Sequence, residues 1–119
     1  MQLSYITFMI RDMKKTVEFY EKAANLRVVR QFNPGMGEIT FMADEDGGTM
    51  LEFIQFEDAE KVSVRGMVIS FLVKGDLEEQ REKIAALGYH PSDIVVKGRS
   101  QNILPWPTRM GLLWSLALK

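Results

Sequence analysis

One carboxylate stands in an otherwise apolar run. Met50-Leu51-Glu52-Phe53-Ile54 reads as a strand with Glu52 at its centre. An isolated buried charge is costly, so an acid in that place needs a partner or water. The chemistry open to Glu52 is recognition of a cationic or hydrogen-donating ligand, or work as a general base. Few other residue types offer chemistry. His90 is the one histidine, beside Pro91 in a turn, and it is read as a loop side chain rather than a ligand. With no cysteine in the chain, disulfides, thiolate nucleophiles and zinc–thiolate sites are excluded. Asp44-Glu45-Asp46 precedes Gly47-Gly48 and lacks the spaced oxygen ligands that calcium needs, so it is read as a solvated turn. No glycine-rich phosphate loop and no nucleophile–histidine–acid triad is present.

The elements that must position Glu52 follow from periodicity. Ile6, Phe8 and Ile10 alternate with Tyr5, Thr7 and Met9, the pattern of a strand. Asp12 is placed to cap a helix. Met13, Val17, Tyr20 and Ala24 then recur at helical spacing, and Asn25 suits the left-handed residue that ends a helix. Strands are expected at 27–32, 38–43 and 49–56. The pattern restarts at Met67 with a strand, and Asp76-Leu77-Glu78-Glu79 fits a capping box. Leu77, Ile84 and Leu87 are expected to face inward and Gly88 to stop the second helix. Strands at 93–97, 100–104 and 111–118 follow, with Pro105 and Pro107 before the last.

The two halves keep one offset. Tyr5 answers Val68 (68 − 5 = 63), and Gly48-Thr49-Met50-Leu51-Glu52-Phe53 answers Gly111-Leu112-Leu113-Trp114-Ser115-Leu116 (111 − 48 = 63). This reads as a duplication of a β-α-β-β-β unit within one domain, with modules of about 1–60 and 64–119. Sorting the strands by face puts Ile6, Phe8, Ile10, Leu51, Phe53, Ile69, Phe71, Val73, Leu112, Trp114 and Leu116 on a side suited to packing under helices. The other side is mixed and carries Glu52; it suits a ligand cleft.

Composition narrows the classes. The chain has 119 residues and a formal net charge of −1, with 46% hydrophobic and 26% charged residues, so one soluble globular domain is expected and a basic nucleic-acid footprint is excluded. The pair Arg27 and Arg30 is read as solvated surface. No apolar run reaches the ~20 residues that a membrane-spanning helix needs. The N-terminal stretch lacks the layout of a secretory leader, and a cytoplasmic protein is expected.

The order of these motifs is familiar. Asp12-Met13, Phe19-Tyr20, Asn25-Leu26, Leu51-Glu52-Phe53, Asp76-Leu77-Glu78 and Leu87-Gly88 together resemble the vicinal oxygen chelate superfamily of glyoxalases, bleomycin-resistance proteins and extradiol dioxygenases. The resemblance implies an α+β fold: two tandem βαβββ modules whose curved mixed sheets enclose a cleft, commonly in a homodimer. Metal-dependent members hold a divalent ion with His or Gln and Glu at four places, which here are Tyr5, Glu52, Val68 and Ser115. Only Glu52 matches, and neutral Tyr and Ser are poor ligands beside imidazole and carboxylate. The resemblance therefore implies the fold but, with this ligand set, no metal and no cofactor. It groups Tyr5 and Ser115 with Glu52 as a small polar centre; Met9 is read as cleft wall or core filler, and Trp106 as an aromatic lip or a buried or interface residue. Glu52 is then either the recognition group or a carboxylate satisfied by Tyr5, Ser115 or a basic side chain. The leading expectation is a metal-independent protein that sequesters a small organic ligand, cationic or aromatic. The alternatives are a lyase or isomerase of glyoxalase type with Glu52 as general base, and an interaction module whose mixed face a partner covers.

Overall fold

The computed structural model of the protein describes residues 1–45, 47–62, 68–97, 100–103 and 114–118. In chain order they form β1 (Tyr5–Met9), α1 (Met13–Lys22), β2 (Arg27–Phe32), β3 (Gly37–Ala43), β4 (Met50–Phe56), β5 (Ile69–Val73), α2 (Leu77–Ala86), β6 (Val95–Lys97), β7 (Ser100–Ile103) and β8 (Trp114–Leu118). The fold is α+β. The chain divides into two compact units, Met1–Val62 and Ser63–Lys119, each with a four-stranded mixed sheet. Strand order is β1-β4-β3-β2 in the first and β5-β8-β7-β6 in the second. The first and last strands of each unit are parallel neighbours: Ile6 pairs with Leu51 and Ile69 with Trp114. Both registers span the same number of residues (51 − 6 = 45; 114 − 69 = 45), as a duplicated unit requires.

The first unit is built on an aromatic core. Phe8 of β1 and Phe53 of β4 are register partners with ring centroids 5.8 Å apart. Tyr20 of α1 stacks on Phe53 at 5.0 Å, and Phe19 meets Tyr20 edge-on at 5.1 Å. All four rings are buried. Each contributes about 1.5–3 kcal/mol by burial, and such ring pairs add about 0.5–1.5 kcal/mol. Burial also pushes the Tyr20 phenol above the usual tyrosine range. A raised phenol favours the folded state below its unfolded value, and that contribution fades as pH climbs beyond it.

The helix is aimed at this core by its N-terminus. The Asp12 carboxylate accepts from the Lys15 amide at 3.0 Å, and the Gln55 side chain of β4 accepts from the Met13 amide at 2.5 Å. Two of the orphan amides are thereby satisfied, one of them by the sheet itself. Asn25 adopts φ 56° after the helix, as expected. The buried stripe differs from the expected one. Met13, Thr16, Phe19 and Tyr20 are the buried residues of the helix, followed by Ala23, while Val17 and Ala24 are half-buried. The buried stripe is thus centred nearer Phe19 than expected.

Other expectations shift at the edges. Ile6 is 39% exposed, since β1 borders its sheet and Ile6 lies one pair beyond the Phe8–Phe53 contact. In the second unit Leu77 and Ile84 are buried as expected, but Leu87 is exposed, because α2 ends at Ala86 and Leu87 leaves the stripe as the C-cap. Asp76 accepts from the Glu78 amide at 2.9 Å; no return bond from Glu79 is formed among the described residues, so the cap is one-sided. The last strand begins at Trp114; residues 111–113 and Trp106 lie outside the described residues.

Gly37 opens β3 at φ 143°, and a Cβ there would run into the Gln55 carbonyl oxygen and the Phe56 ring. The Gly37→Ala variant is expected to lose about 1–3 kcal/mol, read as a lower denaturation midpoint with an unchanged m-value. Asp12→Ala is expected to cost about 1 kcal/mol in the same measurement, the usual worth of a helix cap.

Candidate functional site

Register decides what Glu52 meets. On the face of the first sheet away from α1, Thr7 of β1 pairs with Glu52 of β4, and Glu52 pairs with Phe41 of β3. The Thr7 hydroxyl donates to Glu52 Oε1 at 2.5 Å. Glu52 is 9% exposed, and no ion pair reaches it among the described residues. Ile39, Ala43 and Ile54 on the same face are buried too, while Thr7 is exposed. Tyr5 is 47% exposed, and its ring meets Phe41 edge-on at 5.2 Å. The arrangement is one carboxylate, held by a hydroxyl, set among two aromatic rings and aliphatic side chains.

The expected site residues divide accordingly. Tyr5, Met9 and Glu52 share this face. Met9 is half-buried, and its carbonyl accepts from the Val62 amide at 2.8 Å. Tyr5 is not the carboxylate's hydrogen-bond partner; Thr7 is. Sequence reasoning placed Thr7 on the correct face but gave it no role, because the bond depends on which residue of β1 lies directly opposite Glu52. Ser115 lies on β8 of the other unit, opposite Ser70. By the repeat offset that pair is the counterpart of Thr7 and Glu52, with the acid replaced by a serine. Val68 precedes β5 and is exposed. His90 is exposed. Trp106 lies outside the described residues.

Arg27 and Arg30 are exposed, as expected of solvated surface, but their direction is set by the register. An irregularity in register falls between Val28 and Arg30, so that Arg27 pairs with Ala43 and Arg30 with Phe41. Residues three apart would face opposite ways in a regular strand. The extra residue of a bulge turns both onto the Glu52 face.

A divalent ion fits this donor set poorly. Glu52 is engaged by Thr7, and the tyrosine and threonine hydroxyls beside it are weak ligands. Among the described residues no group of three or more His, Cys, Asp or Glu could hold a metal ion. A separate open groove of about 370 Å³ runs between α1 and β2–β3, lined in part by Val17, Glu18, Glu21, Gln31 and Glu38. It lies on the helix side of the sheet, away from Glu52.

The family model described as Glyoxalase/Bleomycin resistance protein/Dioxygenase superfamily matches residues 2–101. The chain belongs to this superfamily. No curated protein sequence matches it. Solved structures share the fold over the whole chain. The genomically encoded fosfomycin resistance protein FosX from Listeria monocytogenes superposes with a TM-score of 0.78 at 18% identity, covering 100% of this chain and 93% of that one. The antibiotic binding protein TnmS3 from a Streptomyces species gives 0.79 at 12% identity, with 99% and 95% covered. A glyoxalase family protein from Enterococcus faecalis gives 0.76 at 13% identity, with 98% and 96% covered. Identities this low establish the fold alone.

The Thr7–Glu52 bond makes a direct prediction. Thr7→Val removes the donor and leaves a buried carboxylate unsatisfied, at an expected cost of about 1–3 kcal/mol. In a Glu52→Leu background the same change is expected to cost less, giving a coupling of about 1 kcal/mol in a double-mutant cycle of denaturation free energies. Additive losses would mean that the bond carries no energy.

Proposed function

We propose that this protein binds a modest-sized organic ligand, cationic or aromatic, on the Glu52 face, that it does so without a metal ion, and that it works as a homodimer that sequesters the ligand. The observation carrying this reading is the buried Glu52 carboxylate, held by Thr7 with no cationic partner among the described residues, beside the rings of Tyr5 and Phe41. A carboxylate desolvated in this way is costly to the protein alone and gains most when a donor arrives. Aromatic edges next to it offer contact area to a flat ligand. The antibiotic binding protein among this chain's structural neighbours supports a small organic ligand. The donor set at Tyr5, Val68 and Ser115 supports independence from metal.

Titration of the purified protein against cationic and neutral aromatic compounds tests this. One saturable site per chain is expected, unaffected by EDTA. Glu52→Gln is expected to weaken cationic ligands by about 10–100-fold, the worth of a charge-assisted hydrogen bond, while neutral aromatic ligands change little. Absence of any binding, or equal affinity in the variant, would remove Glu52 from the site. A stoichiometric divalent ion in natively purified protein would overturn metal independence and favour a lyase or isomerase instead.

A further inference from the structure

The bulge in β2 gives the face a second, opposite pole. Thr7, Glu52, Phe41 and Arg30 form one row across β1, β4, β3 and β2. Their side chains share a side of the sheet, because directly paired residues point the same way. The row runs from a buried carboxylate, through a half-buried aromatic ring, to an exposed guanidinium. The Arg30 side chain leans along β2, its Cζ lying over the Phe32 ring at 4.5 Å from the centroid, and Phe32 pairs with Ile39 on the same face. Among the described residues neither Arg30 nor Glu52 has an ion pair. Two strand spacings separate their backbones, about 10 Å.

We propose that the Glu52 face selects a zwitterionic aromatic ligand, its cation on Glu52, its ring against Phe41 and its anion on Arg30. The proposal rests on the ligand-binding reading above and gives it a substrate class. An anion lacking a positive group would meet the Glu52 carboxylate without compensation. A cation lacking an anionic group would leave the Arg30 guanidinium unused. Only a ligand with both charges, kept apart by a flat body, satisfies both ends. Arg30 is suited to the anionic end, since its planar fork presents paired donors to a carboxylate while its face rests on the Phe32 ring. Arg27, opposite Ala43 on the same face, stands near enough in sequence and register to reinforce that end. Screening at physiological salt acts over about 8 Å, so this selectivity works by contact rather than by attraction at a distance.

The probes are 4-(aminomethyl)benzoate, its methyl ester, which is only cationic, and 4-methylbenzoate, which is only anionic. Each is titrated into the full chain and followed by amide chemical shifts and calorimetry. In the wild type the zwitterion is expected to bind about tenfold more tightly than the ester, the worth of one charge-assisted hydrogen bond, and 4-methylbenzoate least of the three. Arg30→Gln is expected to abolish the zwitterion's advantage while leaving the ester unchanged. Phe32→Leu, which keeps the charge but removes its support, is expected to reduce that advantage several-fold. Circular dichroism checks that each variant folds, and the wild-type comparison requires no variant. If the ester binds and the zwitterion binds no better, the role of Arg30 is overturned while the Glu52 site stands. If none of the three binds, both readings fail.

Discussion

The parallel pairing of β1 with β4 is the constraint on which the rest of the first unit depends. These strands are separated in the chain by a helix and two further strands, yet they lie side by side with Tyr5 opposite Met50 and Met9 opposite Ile54. That single register has two consequences. On the helix side it joins Phe8 to Phe53, the platform on which Tyr20 stacks. On the other side it joins Thr7 to Glu52. A slip of one residue would exchange the faces of β1, burying Thr7 under the helix and leaving Phe8 beside the carboxylate. Hydrophobic burial on one face thus holds in place the hydrogen bond on the other. The second unit repeats the register with Ser70 opposite Ser115, keeping the scaffold and dropping the acid.

The character of the Glu52 face follows from what surrounds that carboxylate. The superfamily's metal chemistry depends on several strong donors converging on one ion. Here a threonine hydroxyl engages the acid, and valine, tyrosine and serine occupy the other expected places. Around that acid the face carries aromatic rings at Tyr5 and Phe41 and aliphatic side chains at Ile39 and Ile54. The bulge in β2 adds a positive group at the far end of the same row. Its effect is geometric, since an additional residue in one strand changes the side on which every later side chain emerges.

Much of this was legible in the sequence. The alternation around Phe8, the cap at Asp12, the left-handed Asn25 and the constant offset between halves specified the elements and their duplication, because they are local properties of the chain and of its repeat. Glu52 also stood out, as a charge interrupting an apolar strand. What the sequence did not disclose were relations across strands. Thr7 was legible as a neighbour on the correct face but not as the partner, and Arg27 and Arg30 read as ordinary solvated surface. The helix stripe was off by part of a turn, since Thr16 and Phe19 are buried where Val17 and Ala24 were expected.

By itself, then, the sequence determined the βαβββ repeat, the two faces of each sheet and the loss of the metal-donor types, all of which depend on residue identity and spacing along one strand or helix. Only the tertiary structure decided that Thr7 satisfies Glu52 and that two arginines three positions apart face the same way. The physical reason is the same in both cases. Strand pairing and bulges are set by the balance of burial and hydrogen bonding between segments distant in the chain, and local periodicity carries no record of where a partner strand will align.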